Sequence, residues 1–419
     1  MSKLIYFPSF SSKYSLLKKD EFTIKDLQTV RFYDDRFPKE FQHKFFLLTA
    51  GAFYNRKTNI REELGMNNGT LVLGDSGGFQ IANGTIPWNM DIRDRIFHWL
   101  EDNSDIAMNL DIPPNLKYRG KFDYCLEESY NNFKYFEEKQ TGKTKFLNVI
   151  QTNETDEGYS IWYDKVKDFQ FNGWGIGGTL KQHSRALYII ALFLKNREFE
   201  KLNNHYIHFL GATSPFNFLI YQAIQKNFNK YYPHIQVTTD SSTPLLQPVY
   251  GNWVHSINNK KLNFNYLYFG NKGKVKYEEE KELPCILHNC PVCSRIKYTE
   301  IANYKNQGEY SIHVGWHNLF VFIQSIENMG KLLESGNDVL TGFYDREVIA
   351  MIKSIDAMFK DPDKALVIYN ENLKLYKKLS NNLETLVDKS VLNSDIFENE
   401  EKLTKDIDEE LKEIMNESE

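Results

Sequence analysis

The chain has 419 residues, 41% of them hydrophobic and 15% aromatic, with a net charge of −5. These values exclude a disordered or strongly basic polypeptide and leave room for one barrel-sized catalytic domain with an appendage. The charge is uneven: residues 393–419 carry eleven acids against three lysines, so the remaining body is mildly basic and compatible with a nucleic-acid partner.

The N-terminal Met1-Ser2-Lys3-Leu4-Ile5-Tyr6-Phe7-Pro8 has no long apolar leader stretch. No apolar run reaches membrane-spanning length, so the expectation is a cytoplasmic protein with no membrane partner. Short apolar runs then end repeatedly at polar or glycine-rich tips. Phe45–Leu48 precedes Thr49-Ala50-Gly51, and Leu71–Leu73 precedes Gly74-Asp75-Ser76-Gly77-Gly78-Phe79-Gln80. Ile106–Leu110 precedes Asp111, and Phe146–Ile150 precedes Gln151. Trp174–Ile176 precedes Gly177-Gly178, Tyr206–Leu210 precedes Gly211, and Ile235–Thr238 precedes Asp240.

Segments of helical length lie between them, among them 91–101, 125–141, 184–196 and 214–227. Strands alternating with helices over roughly 250 residues predict an α/β fold, a (β/α)8 TIM barrel, with chemistry at the C-terminal ends of the strands. A doubly wound open sheet is the runner-up, but no glycine-rich dinucleotide turn or phosphate loop accompanies it.

The stretch around Asp75 is the most informative. A buried strand delivers a carboxylate to its tip, Ser76 adds a hydroxyl, and Phe79 is placed to stack on something flat. Gly77 and Gly78 are expected to let backbone N–H groups approach a ligand.

From Asn258 to Lys281 the chain is basic and aromatic, which fits either a solvated hairpin or loop, or a phosphate-contacting surface. The run Cys285-Ile286-Leu287-His288-Asn289-Cys290-Pro291-Val292-Cys293 follows, with His317-Asn318 beyond it. A Cys-x-x-Cys flanked by histidines is a tetrahedral zinc pattern. His288, Cys290, Cys293 and His317 are assigned as ligands, with Cys285 and His313 in reserve. Four protein ligands leave no open position, so the zinc would be structural.

Helices are expected at 317–334, 345–359 and 361–386, the last with Asp361 as N-cap and Pro362 at the first position. The expected division is a barrel of residues 1–279 and 318–345, an inserted zinc-binding subdomain at 280–317, C-terminal helices at 346–392 and an acidic tail at 393–419. His183, His205, His208 and His234 read as packing or surface histidines, and Cys125 as a small buried side chain.

Taken together, Asp75-Ser76-Gly77-Gly78-Phe79-Gln80, Leu110-Asp111-Ile112-Pro113-Pro114 and Val149-Ile150-Gln151 resemble the tRNA-guanine transglycosylase superfamily. Gly175-Ile176-Gly177-Gly178, Leu210-Gly211, Asp240-Ser241, the cysteine cluster and His317-Asn318-Leu319 continue the match over about residues 40 to 340. The resemblance implies an enzyme, a pentosyltransferase that exchanges guanine in a polynucleotide for a 7-deazaguanine. It implies Asp240 as nucleophile at C1′ and Asp75 as general acid and base. It implies Asp111, Gln151 and the backbone of Gly177-Gly178 as readers of the base edge, with Ser76 and Phe79 in the same binding pocket.

Three departures stand out. His288 replaces the first thiolate of the usual Cys-x-Cys-x-x-Cys. The glycine run is cut to Gly177-Gly178-Thr179-Leu180, and Ser241-Ser242-Thr243-Pro244 replaces a basic segment. The His-x-Cys-x-x-Cys cluster is similar to the branch that inserts 7-deazaguanine into DNA, which makes DNA the expected partner and preQ0 the expected incoming base. The alternatives are a transglycosylase acting on tRNA and a non-catalytic nucleic-acid-binding paralogue. Accessory modification proteins are further candidate partners.

Overall fold

The seven apolar runs become strands of one eight-stranded parallel sheet. The computed structural model describes residues 3–10, 28–66, 69–179, 183–258, 260, 262–268, 290, 292–297 and 307–391. The strands are β1 (Ile5–Pro8), β2 (Phe45–Thr49), β3 (Leu71–Asp75), β4 (Ile106–Met108), β5 (Lys145–Ile150), β6 (Gly173–Ile176), β7 (Tyr206–Phe209) and β8 (Gln236–Ser241). Their order runs β1-β8-β7-β6-β5-β4-β3-β2. A parallel bridge from Ser9 to Leu47 brings β1 back to β2, so the sheet comes round almost to closure as a (β/α)8 barrel.

The strand at Ile5–Pro8 is not among the runs singled out from sequence. It is four residues long and ends in proline, and its place is set by a distant partner, Ile5 lying opposite Thr238. The gap between β1 and β2 is sealed by aromatic stacking. Phe10 lies on Phe32 and Phe46 with ring centroids 4.7 and 5.0 Å apart, and Trp316 packs 5.0 Å from Phe32.

The long helices are α1 (Met90–Asn103), α2 (Phe122–Lys139), α3 (Asp156–Val166), α4 (Ser184–Lys195), α5 (Pro215–Tyr231), α6 (Gln307–Glu334), α7 (Arg346–Lys360) and α8 (Ala365–Val391). Their starts follow local chemistry. Asn89 caps α1 by accepting from the Ile92 N–H, and Thr155 caps α3 by accepting from Gly158. Ser214 and Asn217 form a capping box around Pro215 at the head of α5.

The connection after β8 is a detour. It contains the antiparallel hairpin β9 (Asn252–Asn258) and β10 (Asn263–Tyr268) and the cysteine segment, before α6 packs against α5. The hairpin covers the start of the basic, aromatic stretch; residues 269–281 of that stretch lie outside the described set, as does the acidic tail.

Two boundaries move. α6 begins at Gln307, ten residues before the expected start, so His317 lies inside the helix. Gly315 lies within it, and a Cβ there would meet the Leu245 side chain at 2.9 Å. At the other end, Asp361 makes no side-chain cap bond: Pro362–Lys364 form a 3-10 turn and α8 starts at Ala365.

α7 buries Ile352, Ile355, Met358 and Phe359 against the barrel helices, with Phe359 set edge-on 5.0 Å from Phe228. α8 lies along α4, where the Tyr369 hydroxyl donates to Asp156 at 2.9 Å. The C-terminal region is thus helical and docked on the barrel wall. Among the described residues no helix is long and apolar enough to cross a membrane.

Candidate active site and metal centre

The C-terminal tips of β3, β4, β5, β6, β7 and β8 carry the polar residues singled out from sequence. Asp75 ends β3 directly opposite Thr49 of β2. It takes a hydrogen bond from the Thr49 hydroxyl and one from the Gly77 N–H. Burial raises its pKa above the usual carboxylate value, against the pull of those two donors. The negative charge of Asp240 pushes in the same direction, which joins β3 and β8, with β1 and β2 between them in the barrel, in one electrostatic site.

Asp111 follows β4 and is 6% exposed. Its Oδ2 accepts from Gln151 Nε2 at 2.9 Å. Burial lifts its pKa to about 7, with the charge of Asp75 adding to the rise and the Gln151 bond opposing it. The turn that presents it is tied to α2, since the Ile112 N–H donates to Ser129 Oγ at 2.9 Å. Cys125, behind the same turn, has its thiol pushed up to about 12 by burial and by the Asp111 charge. It stays a thiol, in line with its reading as a buried side chain.

The glycines also have a packing role. Gly77, at φ +83°, leaves no room for a side chain, because a Cβ would sit 2.8 Å from the Gly51 Cα. A Cβ on Gly78 would sit 2.5 Å from the Asp111 carbonyl oxygen. Both therefore let three strand-end loops pack backbone to backbone, and the Gly77 N–H points at Asp75. Gly177 makes space for the Gln151 amide, which a Cβ would meet at 2.4 Å. Phe79 opens the short helix after Gly78 and is 48% exposed, free to receive a planar partner.

Gly178, at φ +74°, is held from behind. The Tyr159 hydroxyl donates to the Gly177 carbonyl at 2.6 Å, and Arg185 donates to the Gly178 carbonyl at 3.2 Å and to the Glu154 carbonyl. One buried arginine thus ties the loop after Gln151 to the loop after β6. Ser76 is buried beside Asp75.

Asp240, on β8, is 16% exposed. Its Oδ1 accepts from the Gly211 N–H at 2.7 Å and lies 3.2 Å from His208 Nε2. Gly211 adopts φ +73°, a turn that a residue with a side chain rarely makes. The Tyr6 hydroxyl donates to the Ser241 carbonyl at 3.1 Å, and burial and the Asp240 charge hold it as a phenol.

Sequence reasoning missed three contributors here. Thr49 was noted only as a strand tip, Gly211 only as a motif letter, and His208 only as a packing histidine. His208 is indeed fully buried, yet its ring reaches Asp240. The clue available was its period-two spacing from Leu210-Gly211, which puts it on the inner face of β7. The other three behave as read: His183 is buried against Asn217, while His205 and His234 retain exposure.

The second constellation sits where β9 meets α6. Cys290, Cys293 and His317 are all buried, and their ligand atoms lie within 4.8 Å of one another. His317 Nδ1 is 3.1 Å from Cys293 Sγ, and its Nε2 donates to the Val254 carbonyl at 2.7 Å. The imidazole is therefore fixed with one nitrogen free for a metal and the other anchored on the backbone. Two sulfurs and a nitrogen converging in this way can hold a metal ion and suit zinc. Of the reserve ligands, His313 is buried one turn earlier and does not join the cluster. His288 and Cys285 lie outside the described residues. Asn318 binds three segments together: it accepts from Val254 N–H at 2.8 Å and donates to the Pro244 and Asn252 carbonyls.

No protein-family model and no curated protein matches the chain.

Proposed function

We propose that the protein is a base-exchange transglycosylase that replaces guanine in DNA with a 7-deazaguanine, with preQ0 as the incoming base. The observation that carries the reading is the convergence of three aspartates from β3, β4 and β8 on one electrostatic site at the barrel mouth, with Asp75 influenced by Asp240 and Asp111 influenced by Asp75.

In this reading an oxygen of Asp240 attacks the sugar C1′. The new O–C1′ bond forms as the C1′–N9 bond breaks, and the bonding pair leaves with guanine. Asp75, whose raised pKa favours its acid form, gives the departing base a proton. The incoming base then loses its N9 proton to Asp75 and displaces the Asp240 carboxylate from C1′. Two displacements at one carbon retain configuration, as in retaining glycoside chemistry.

Asp111 reads the guanine edge. Its carboxylate accepts from N1–H and the exocyclic amine, two adjacent donors that only an acceptor pair satisfies. Gln151 already gives one amide hydrogen to Asp111, and its second is free for O6, beside the Gly178 N–H. Phe79, exposed at the rim, stacks on the ring. The base has to be flipped out of a helix to reach this depth.

The metal cluster holds zinc in a structural role, with His288 as fourth ligand; bound there, the ion supplies a cross-link between the cysteine segment and α6. The test is incubation with labelled guanine and either duplex DNA or bulk tRNA. Label entering DNA supports the reading, and label entering tRNA alone shifts it to the tRNA branch. No exchange in either, with nucleic acid still bound, supports the non-catalytic alternative.

A further inference from the structure

We infer that His208 is a positioning residue that makes the two oxygens of Asp240 inequivalent, holding Oδ1 so that Oδ2 alone is presented to the sugar. The inference rests on the reading of Asp240 as nucleophile.

The argument begins with the ladder. Gly175 of β6 lies opposite His208 of β7, and His208 lies opposite Thr238 of β8. Residues two apart on a strand share a face, so Thr238 and Asp240 point the same way, one step apart along β8. The His208 ring spans that step. Its Nδ1 is 2.8 Å from Thr238 Oγ1 and its Nε2 is 3.2 Å from Asp240 Oδ1.

The direction of each bond follows from what the partners can do. A carboxylate oxygen only accepts, so Nε2 carries the hydrogen that faces Asp240. Nδ1 then accepts from the Thr238 hydroxyl, which fixes the tautomer and the plane of the ring. The ring is fully buried, with Phe7 of β1 set edge-on 6.5 Å away, so water cannot replace either partner.

Oδ1 is also the acceptor of the Gly211 N–H at 2.7 Å. Two donors on one oxygen draw charge to it and fix the carboxylate plane, and no hydrogen bond to Oδ2 is recorded among the described residues. The remaining oxygen keeps its lone pairs for C1′. The same two donors stabilise the carboxylate when the incoming base displaces it.

Glycine at 175 fits this arrangement. A Cβ there would meet the Met108 sulfur at 2.7 Å and a Val149 methyl at 3.4 Å, so the space at Gly175, the residue paired with His208, is filled by apolar side chains.

The test compares His208→Gln, which keeps a donor near the Nε2 position, with His208→Leu, which keeps bulk and loses it. The expected result is a drop of about 10- to 100-fold in kcat for His208→Leu with KM for the base little changed, and substantial rescue by Gln. Thr238→Val and Thr238→Ser form a milder pair for the tautomer, with a several-fold loss expected for Val only. Nitrogen NMR on the wild-type protein, with the His208 signal assigned by its absence in His208→Gln, should show hydrogen on Nε2 and not on Nδ1. That measurement needs no activity, so it separates this inference from the wider reading. An Nδ1–H tautomer overturns the proposal whatever the reaction proves to be. Wild-type kcat in both His208→Leu and Thr238→Val, or no rescue by Gln of a folded protein, also overturns it.

Discussion

The barrel mouth and the metal cluster are both built from buried polar groups, yet they are finished in opposite ways. At the cluster the groups converge on one metal position: His317 Nε2 is anchored on the Val254 carbonyl, and its Nδ1 faces Cys293 Sγ at 3.1 Å. At the mouth, acceptors are left over: Asp240 is held through one oxygen, and the Asp111 side chain accepts from the Gln151 amide through one of its two. A site whose ligands close around a resident metal stabilises a fold, and a site whose acceptors stay open waits for a substrate. Burying carboxylates without full compensation costs stability, which the protein carries at the mouth and avoids at the cluster.

The largest effect expected from breaking this contrast is at Asp240. Asp240→Asn should remove base exchange by about four orders of magnitude or more and abolish any trapped covalent adduct, with unchanged circular dichroism. A variant that still forms the adduct would end the nucleophile assignment.

Next in size is the cluster. Cys293→Ser, or stripping the metal with a chelator, should lower the melting temperature by roughly ten degrees and release about one zinc per chain by elemental analysis. Because Asn318 ties α6 to the Pro244 carbonyl just beyond β8, the proposed exchange activity should fall in step with metal content.

The contrast sharpens with pH at Asp111. Its carboxyl has a pKa of about 7 in the folded protein and must be ionised to accept from guanine. Binding of the base should therefore fall about tenfold per pH unit below 7 and level off above it. For stability the sign is reversed. A carboxyl raised on folding favours the native state while protonated, and that contribution is lost as pH rises through 7. Asp111→Asn should thus bind guanine poorly yet raise the melting temperature at pH 8 more than at pH 5.

The smallest effects separate two glycines. Gly78→Ala forces a Cβ against the Asp111 backbone oxygen and should cost roughly 1–3 kcal/mol in denaturant unfolding as well as base affinity. Gly175→Ala meets only the flexible end of Met108 and should cost less, about 1 kcal/mol.

The residues at strand tips were legible because each acid or amide directly follows an apolar run, a signal contained within ten residues. Asp75, Asp111, Gln151 and Asp240 were all found this way, and so were most strands and the parallel barrel. What was hidden depends on pairings across the chain. Ile5–Pro8 becomes a strand only because β8 receives it, and His208 reaches Asp240 only in the register that sets it opposite Thr238. The packing partners of Gly77 and Gly78, Gly51 and the Asp111 carbonyl, lie in other loops and could not be read from the local sequence. The helix read from His317 starts at Gln307, ten residues earlier.

The detour after β8 bears on how the molecule comes into being. The first strand emerges from the ribosome long before its mate, the Tyr6 and Ser241 contact spanning 235 positions. The helix that seals that seam, carrying Trp316, arrives later still. Until α6 has been synthesised, the nascent barrel exposes the Phe10 and Phe32 rings along an unsealed seam, a surface that chaperones recognise and that other half-made chains can adhere to.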